Sequence, residues 1–137
     1  MEVRVIPIEQ TRPLRHAVLR PHQDIGDLGT HETEGAYAVG AFQDDELVAV
    51  GFVAPDGRGG WRVRGMATAP QARGRGAGAA VLQALVDHAR DQGATHVWAN
   101  VRTPARTLYE RAGFTVVSEE FELPEIGPHV VMELRAA

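Results

Sequence analysis

The sequence predicts a single-domain α/β fold: a mixed, mostly antiparallel sheet with helices on both sides. Two observations carry this. Three strand-like runs between Tyr37 and Thr68 follow one another across short turns, which makes them antiparallel neighbours. After Thr68, helical and strand-like periodicities alternate, which lays helices on the faces of the same sheet. The 137 residues amount to about one domain, long enough to bury a core without metal or disulfide staples. No linker, low-complexity tract or solenoid repeat divides them.

Val3, Val5 and Ile8 sit among polar residues and form a short first strand. Thr11 is placed to cap a helix with Pro13 in its first turn. Leu14, Ala17 and Val18 make its apolar stripe, and Pro21 stops it near Arg20. The stretch 22–34 has weak periodicity and several turn formers, and reads as a mobile segment with room for one short helix. Tyr37 to Phe42 and Leu47 to Val53 form a hairpin around Gln43-Asp44-Asp45-Glu46; Asp56 to Gly60 is a second turn, and Trp61 to Ala67 a third antiparallel strand ending at Thr68. Ala77, Ala80, Val81, Ala84, Leu85 and His88 recur at helical spacing up to Gly93. A strand over 95–101, a short helix over 104–112 closed by Gly113, and strands over 114–121 and 129–134 complete the chain.

Composition removes whole classes of function. Fourteen basic against 18 acidic residues give a formal net charge of −4, the wrong sign for a general nucleic-acid binder. Every basic residue is arginine, so neither a P-loop lysine nor a Schiff-base lysine exists. With no cysteine, disulfides, thiolate zinc sites, iron–sulfur clusters and cysteine nucleophiles are excluded. No apolar window reaches the roughly 18 residues of a membrane helix, and Met1-Glu-Val-Arg-Val-Ile-Pro7 lacks a signal-peptide layout. The expectation is a cytoplasmic protein with no membrane or nucleic-acid partner.

The most informative stretch is Gln71-Ala72-Arg73-Gly74-Arg75-Gly76-Ala77-Gly78, between a strand and a helix. Glycines let a backbone approach an anion closely, and the following helix offers unpaired N–H groups and the positive end of its dipole. Such a turn suits a pyrophosphate, with Arg73 and Arg75 adding charge-assisted contacts. A glycine-rich loop with two solvated arginines is the plainer reading. Gly74, Gly76 and Ala79 also satisfy the dinucleotide pattern G-x-G-x-x-G/A. Against that, the turn follows antiparallel strands rather than the first strand of a βαβ unit, and the ribose-binding acid expected on the next strand is missing, since position 94 is Ala and the strand ends near Asn100.

Gln71-x-x-Gly74-x-Gly76 resembles the pyrophosphate motif of the GNAT superfamily of N-acetyltransferases. The preceding Val63-Arg64-Gly65-Met66-Ala67-Thr68, the strand ending in Asn100, and Ala105-x-x-Leu108-Tyr109-x-x-Ala112-Gly113-Phe114 fall in that family's order and spacing. The similarity is strongest from about Leu47 to Phe114. Arg64-Gly-Met-Ala-Thr68 and Gly127-Pro128-His129-Val-Val-Met132 are similar to a bacterial subgroup with mostly undefined substrates.

The resemblance implies a GNAT (acyl-CoA N-acyltransferase) fold and acetyl transfer from acetyl-CoA, bound as a pseudo-strand where the strand over 63–68 splays from the one at Asn100. It implies that backbone groups of Met66, Ala67 and Thr68 bond the pantetheine and acetyl carbonyl, one N–H doubling as an oxyanion donor. Gln71, Ala72, Arg73, Gly74, Arg75, Gly76, Ala77 and Gly78 would hold the pyrophosphate, and Asn100 the pantetheine arm. Tyr109 matches the usual general acid for the departing thiolate; from the residues alone, four positions before Gly113 on an amphipathic helix, it reads as a packing residue.

Many such enzymes use a glutamate on the strand before the glycine loop as general base, but Trp61-Arg-Val-Arg-Gly-Met-Ala carries no acid. If a base is needed at all, a water relay or a group from elsewhere, such as His129, Glu32 or His31, must serve instead. His129 is either a site residue or a structural hydrogen-bonding histidine. No histidine pair has metal-ligand spacing, and His31-Glu32-Thr33-Glu34-Gly35 breaks H-E-x-x-H at its last position, so no metal is expected. Asp24, Asp27, Glu32, Glu34, Glu119, Glu120, Glu122 and Glu125 either form a negative rim that steers a cationic amine or are simply solvated.

The expected acceptor is a primary amine of a small molecule, with a peptide or protein amine second. A non-catalytic acyl-CoA binding module is the alternative function, and an NAD(P)-dependent oxidoreductase a third. A homodimer through the last strands is compatible with the sequence but not demanded by it.

Overall fold

A computed structural model describes residues 1–124 and 126–135, apart from the side chains of Thr30 and His31. The sheet runs in the order β1-β2-β3-β4-β5-β8-β6, with β7 also paired to β8. Its first four strands are β1 (Glu2–Val5), β2 (Tyr37–Gln43), β3 (Glu46–Pro55) and β4 (Gly60–Thr68), all antiparallel neighbours. Next come β5 (His96–Arg102), β6 (Thr115–Val116), β7 (Phe121–Leu123) and β8 (Gly127–Arg135). The single parallel pairing among the described strands is β4 with β5.

The hairpin between β2 and β3 turns on Asp44 and Asp45 alone, both with positive φ of 51° and 63°, the two-residue geometry whose twist matches the strands it joins. Alternation then sorts the side chains. Val39, Ala41, Val53 and Val63 face helix α2 (Ala77–Asp91), whose Val81, Leu82, Leu85, Val86 and Ala89 are buried. Ala38, Val50, Phe52 and Ala67 face the other way, beneath Leu14, Val18 and Leu19 of helix α1 (Arg12–Leu19). Helix α3 (Arg106–Arg111) sends Tyr109 into the same core cluster as α2. The sheet therefore carries helices on both faces, as the sequence predicts. Among the described residues no helix is long and apolar enough to cross a membrane.

Three local expectations are corrected. Ile8 lies in a 3-10 turn, Ile8–Thr11, and Val3 and Val5 are exposed at the edge of the sheet while Ile6 is the buried residue. Thr11 does not cap α1 with its side chain: its hydroxyl donates to the Ile8 carbonyl at 2.6 Å, and the buried residue on α1 is Arg15, with Ala17 exposed. Arg15 can be buried because its guanidinium donates to Glu32 at 2.7 Å, the Leu28 carbonyl at 3.1 Å and the Thr11 hydroxyl at 3.2 Å, and lies over the Phe52 ring. The segment 22–34 holds the one short helix for which the sequence left room, a 3-10 helix over Ile25–His31, with Leu28 buried and Asp24 accepting from the Gly26 N–H. The strand expected over 114–121 is two pieces, β6 and β7, because Ser118 interrupts the ladder, its hydroxyl accepting the Val131 N–H at 2.8 Å.

Candidate active site

Strands β4 and β5 pair only over Gly60↔His96, Trp61↔Val97 and Arg62↔Trp98, and then part. The cause is an extra residue in β4. Val50 pairs with Ala67 but Phe52 with Arg64, so Gly65 and Met66 together oppose Gly51. Gly65 takes φ +66°, and a Cβ there would sit 2.6 Å from the Phe52 ring, so both backbone and packing demand glycine. A bulge of this kind bends and twists its strand. Strand β5 cannot follow, because β8 holds it over its whole length, from His96↔Arg135 to Arg102↔His129. The split leaves a cavity of about 560 Å³, well within the usual size of a small-molecule site. Beyond Arg62, the β5-facing edge of β4 has no strand to pair with.

Met66, Ala67 and Thr68 of β4, Arg73 of the following loop, Asn100 of β5, Tyr109 of α3 and His129 of β8 all line this cavity. The rest of the glycine loop stands at the end of β4. Gln71, Gly74, Arg75 and Gly76 are exposed, Gly78 is half-buried, and Ala72 and Ala77 are buried in the core, so the latter two can offer only backbone groups. Gly76, at φ +83°, is the residue before α2 and provides no side-chain cap, which leaves the first N–H groups of the helix unpaired. A Cβ at Gly74 or Gly76 would meet nothing within 4 Å, so the space before these amides is open. At Gly78 it would lie 3.1 Å from the Thr68 hydroxyl, because the first turn of α2 rests on the end of β4. Arg75 is held at the β2–β3 turn by the Gln43 side-chain oxygen, 3.3 Å away.

Tyr109 is buried, edge-on to Phe114 at 5.3 Å, and burial pushes its hydroxyl well above the ordinary phenol value. His129 is also buried, stacked on Phe121. Its Nδ1 lies 2.8 Å from the Gly127 carbonyl, which can only accept, so Nδ1 carries a proton and the neutral ring keeps its lone pair on Nε2. Glu32 is poorly suited to act as a base. It does not line the cavity, and Arg12 and Arg15 hold its carboxyl below the usual range. The side chain of His31, like Glu125, lies outside the described residues. No acid of the suggested negative rim is among the described lining residues.

What sequence reasoning missed is the arginines. Arg20, Arg62, Arg64 and Arg102 line the cavity as well. The signal was there in Trp61-Arg-Val-Arg64 and in Asn100-Val-Arg102, where period-two spacing puts both residues of each pair on one face.

The acetyltransferase (GNAT) family model matches residues 6–114, the span that carries the bulge, the glycine loop, Asn100 and Tyr109. The chain belongs to this family. The uncharacterized N-acetyltransferase YitI of Bacillus subtilis (strain 168) is 32% identical over 96% of this chain and 94% of its own. Among solved structures, Escherichia coli ElaA superposes with a TM-score of 0.79 at 21% identity, covering 97% of this chain and 99% of that one. An aminoglycoside 6′-N-acetyltransferase solved with coenzyme A gives 0.81 at 13% identity, covering 98% and 97%. As a GNAT protein the chain is an acetyltransferase enzyme, which sets aside the non-catalytic binding module. Its mixed sheet, antiparallel at both ends, likewise excludes the doubly wound parallel sheet that the NAD(P) reading needs.

Proposed function

We propose that the protein transfers the acetyl group of acetyl-CoA to the primary amine of a small molecule. The observation that carries this is the split after Arg62 and Trp98, which frees one edge of β4 just before a glycine loop and an uncapped helix start. The free edge of Met66 to Thr68 suits an amide-bearing pantetheine arm laid down as an extra strand, with Asn100 facing it from β5. The open loop over 71–78 suits the pyrophosphate, which would meet backbone N–H groups and the positive end of the α2 dipole, with Arg73 beside it.

Acetyl-CoA supplies a thioester, from which the acetyl group passes to nitrogen as the C–N bond forms and the C–S bond breaks. A β4 N–H beyond the bulge stabilises the negative charge that grows on the carbonyl oxygen. The Nε2 of His129 takes the proton that the attacking amine sheds. Tyr109 donates a hydrogen bond to the departing sulfur. A thiol has a pKa of about 8.5 and a phenol about 10, and burial raises Tyr109 further, so it stabilises the thiolate as a donor more than it surrenders its proton.

The test is thiol release from acetyl-CoA by the purified protein over a panel of small primary amines. Amine-dependent release that matches formation of acetylated amine supports the reading. Acetyl-CoA binding without release for any amine or peptide would contradict it.

A further inference from the structure

Arg20 at the end of α1, Arg62 and Arg64 on β4, and Arg102 on β5 converge on the α1 side of the cleft. Among the described residues, none of the four has a carboxylate within ion-pair distance, and no lining residue of the cavity is acidic. The nearby Glu32 is already occupied by Arg12 and Arg15. In a chain of net charge −4 this concentration of positive charge is a local feature. Arg62 lies over the Trp98 ring at 4.8 Å, with its Nε buried and unpartnered. Arg102 uses one donor on the Leu19 carbonyl at 2.8 Å, and among the described residues the rest of its fork makes no further hydrogen bond or ion pair. Burial, then the neighbouring arginines, lowers the affinity of Arg62, Arg64 and Arg102 for their protons, and brings Arg62 down to about 10. Partly buried like charges of this kind oppose folding unless something neutralises them.

Building on the acetyltransferase reading above, we infer that these four guanidinium groups form a subsite for an anionic group on the acceptor, a carboxylate or a phosphate, so that the molecule acetylated is a small anionic amine. Arginine forks match either oxyanion. The subsite is separate from the coenzyme's phosphate loop. Arg64 pairs with Phe52 and Thr68 with Ala49, so across the bulge they stand three residues of β3 apart, roughly 10 Å, with Arg64 on the far side of the bulge from the glycines. A small second cavity of about 60 Å³, lined by Arg15, Arg20, Arg64 and Gly65 among others, adjoins it under α1. The same field favours the neutral form of an amine seated beside it. That eases the deprotonation for which the strand lacks a carboxylate.

The test uses acetyl-CoA-saturated protein and two readouts. In thermal unfolding at constant ionic strength, inorganic phosphate or succinate should stabilise the wild type relative to chloride, and Arg64→Gln and Arg102→Gln should each reduce that gain. In thiol release, β-alanine or phosphoethanolamine should exceed 3-aminopropanol by about tenfold or more in kcat/KM, the scale of one charge-assisted contact. The variants should lose this preference while their affinity for acetyl-CoA is kept. The better of the two anionic amines identifies the charge as carboxylate or phosphate. A tenfold weaker acetyl-CoA affinity in the variants would assign these arginines to the coenzyme and overturn the inference. Equal turnover of neutral and anionic amines, or no anion effect on unfolding, would also overturn it and leave the acetyltransferase reading intact. Failure to bind acetyl-CoA at all would remove both.

Discussion

Arg62 and Trp98 form the last rung of the parallel β4–β5 pair, and the guanidinium of one lies 4.8 Å above the ring of the other. The Trp98 indole N–H is in turn held by Asp56 at 3.0 Å. This rung is the apex of the cleft, and the bulge at Gly65 is what opens it.

Gly65→Val should therefore be far more harmful than a change at Gly74, although both glycines have positive φ. At Gly74 an added side chain meets nothing within 4 Å, so Gly74→Ala should cost only backbone strain, about 1–2 kcal/mol. At Gly65 the clash with Phe52 adds to that strain, for a total of about 2–5 kcal/mol. Urea denaturation of the two variants decides it, and equal losses would mean that the bulge is not packed as described.

Tyr109→Phe should slow turnover about 10–100-fold with acetyl-CoA affinity little changed, the size expected for one hydrogen bond to a charged leaving group. Because burial raises its pKa, Tyr109 keeps its proton through the alkaline range and should impose no fall in rate up to pH about 10. The unfolded chain ionises near that pH while the folded one does not. Stability should thus decline as pH rises above about 10, and less so in the variant. An unaltered rate would leave Tyr109 only its packing against Phe114.

Glu32→Gln should destabilise the protein by about 2–4 kcal/mol at neutral pH, since it leaves the buried Arg15 without its counter-charge. The folded-state pKa of Glu32 is depressed, so its contribution is present above the unfolded value of about 4.3 and is lost as pH falls below it. Denaturation midpoints at pH 6 and pH 3.5 should differ less in the variant than in the wild type. Reaction rates corrected for folded protein should be nearly unchanged, which separates an anchor from a base.

His129→Gln removes Nε2 as an acceptor and should lower kcat by about 10²-fold or more. The loss should narrow at alkaline pH, where more of the amine is already neutral. A histidine that serves only its contacts with Gly127 and Phe121 would instead lower the unfolding temperature and leave kcat intact.

Much of this architecture was legible because its determinants are local. The Asp44-Asp45 turn, the alternation of β2 to β4 and the apolar face of α2 are each written within a few residues, as is the glycine loop. The buried Arg15 was not legible, since its counter-charge, Glu32, stands 17 residues away and local periodicity assigns an arginine to solvent. Nor was the break at Ser118, which depends on one hydroxyl meeting the backbone of β8. The arginines of the cleft were visible as charges. Their convergence needed the β4–β5 register and the end of α1.

The most direct test of the account is thermal unfolding with acetyl-CoA, in the wild type and in Gly76→Val. Saturating ligand at about 100 times its dissociation constant adds roughly 2.7 kcal/mol, a rise of about 7–12 °C for a domain of this size. The wild type should show that rise with acetyl-CoA and with CoA but not with NADH, and Gly76→Val should fold yet lose it. An equal rise in the folded variant, or stabilisation by NADH alone, would contradict the coenzyme cleft proposed between β4 and β5.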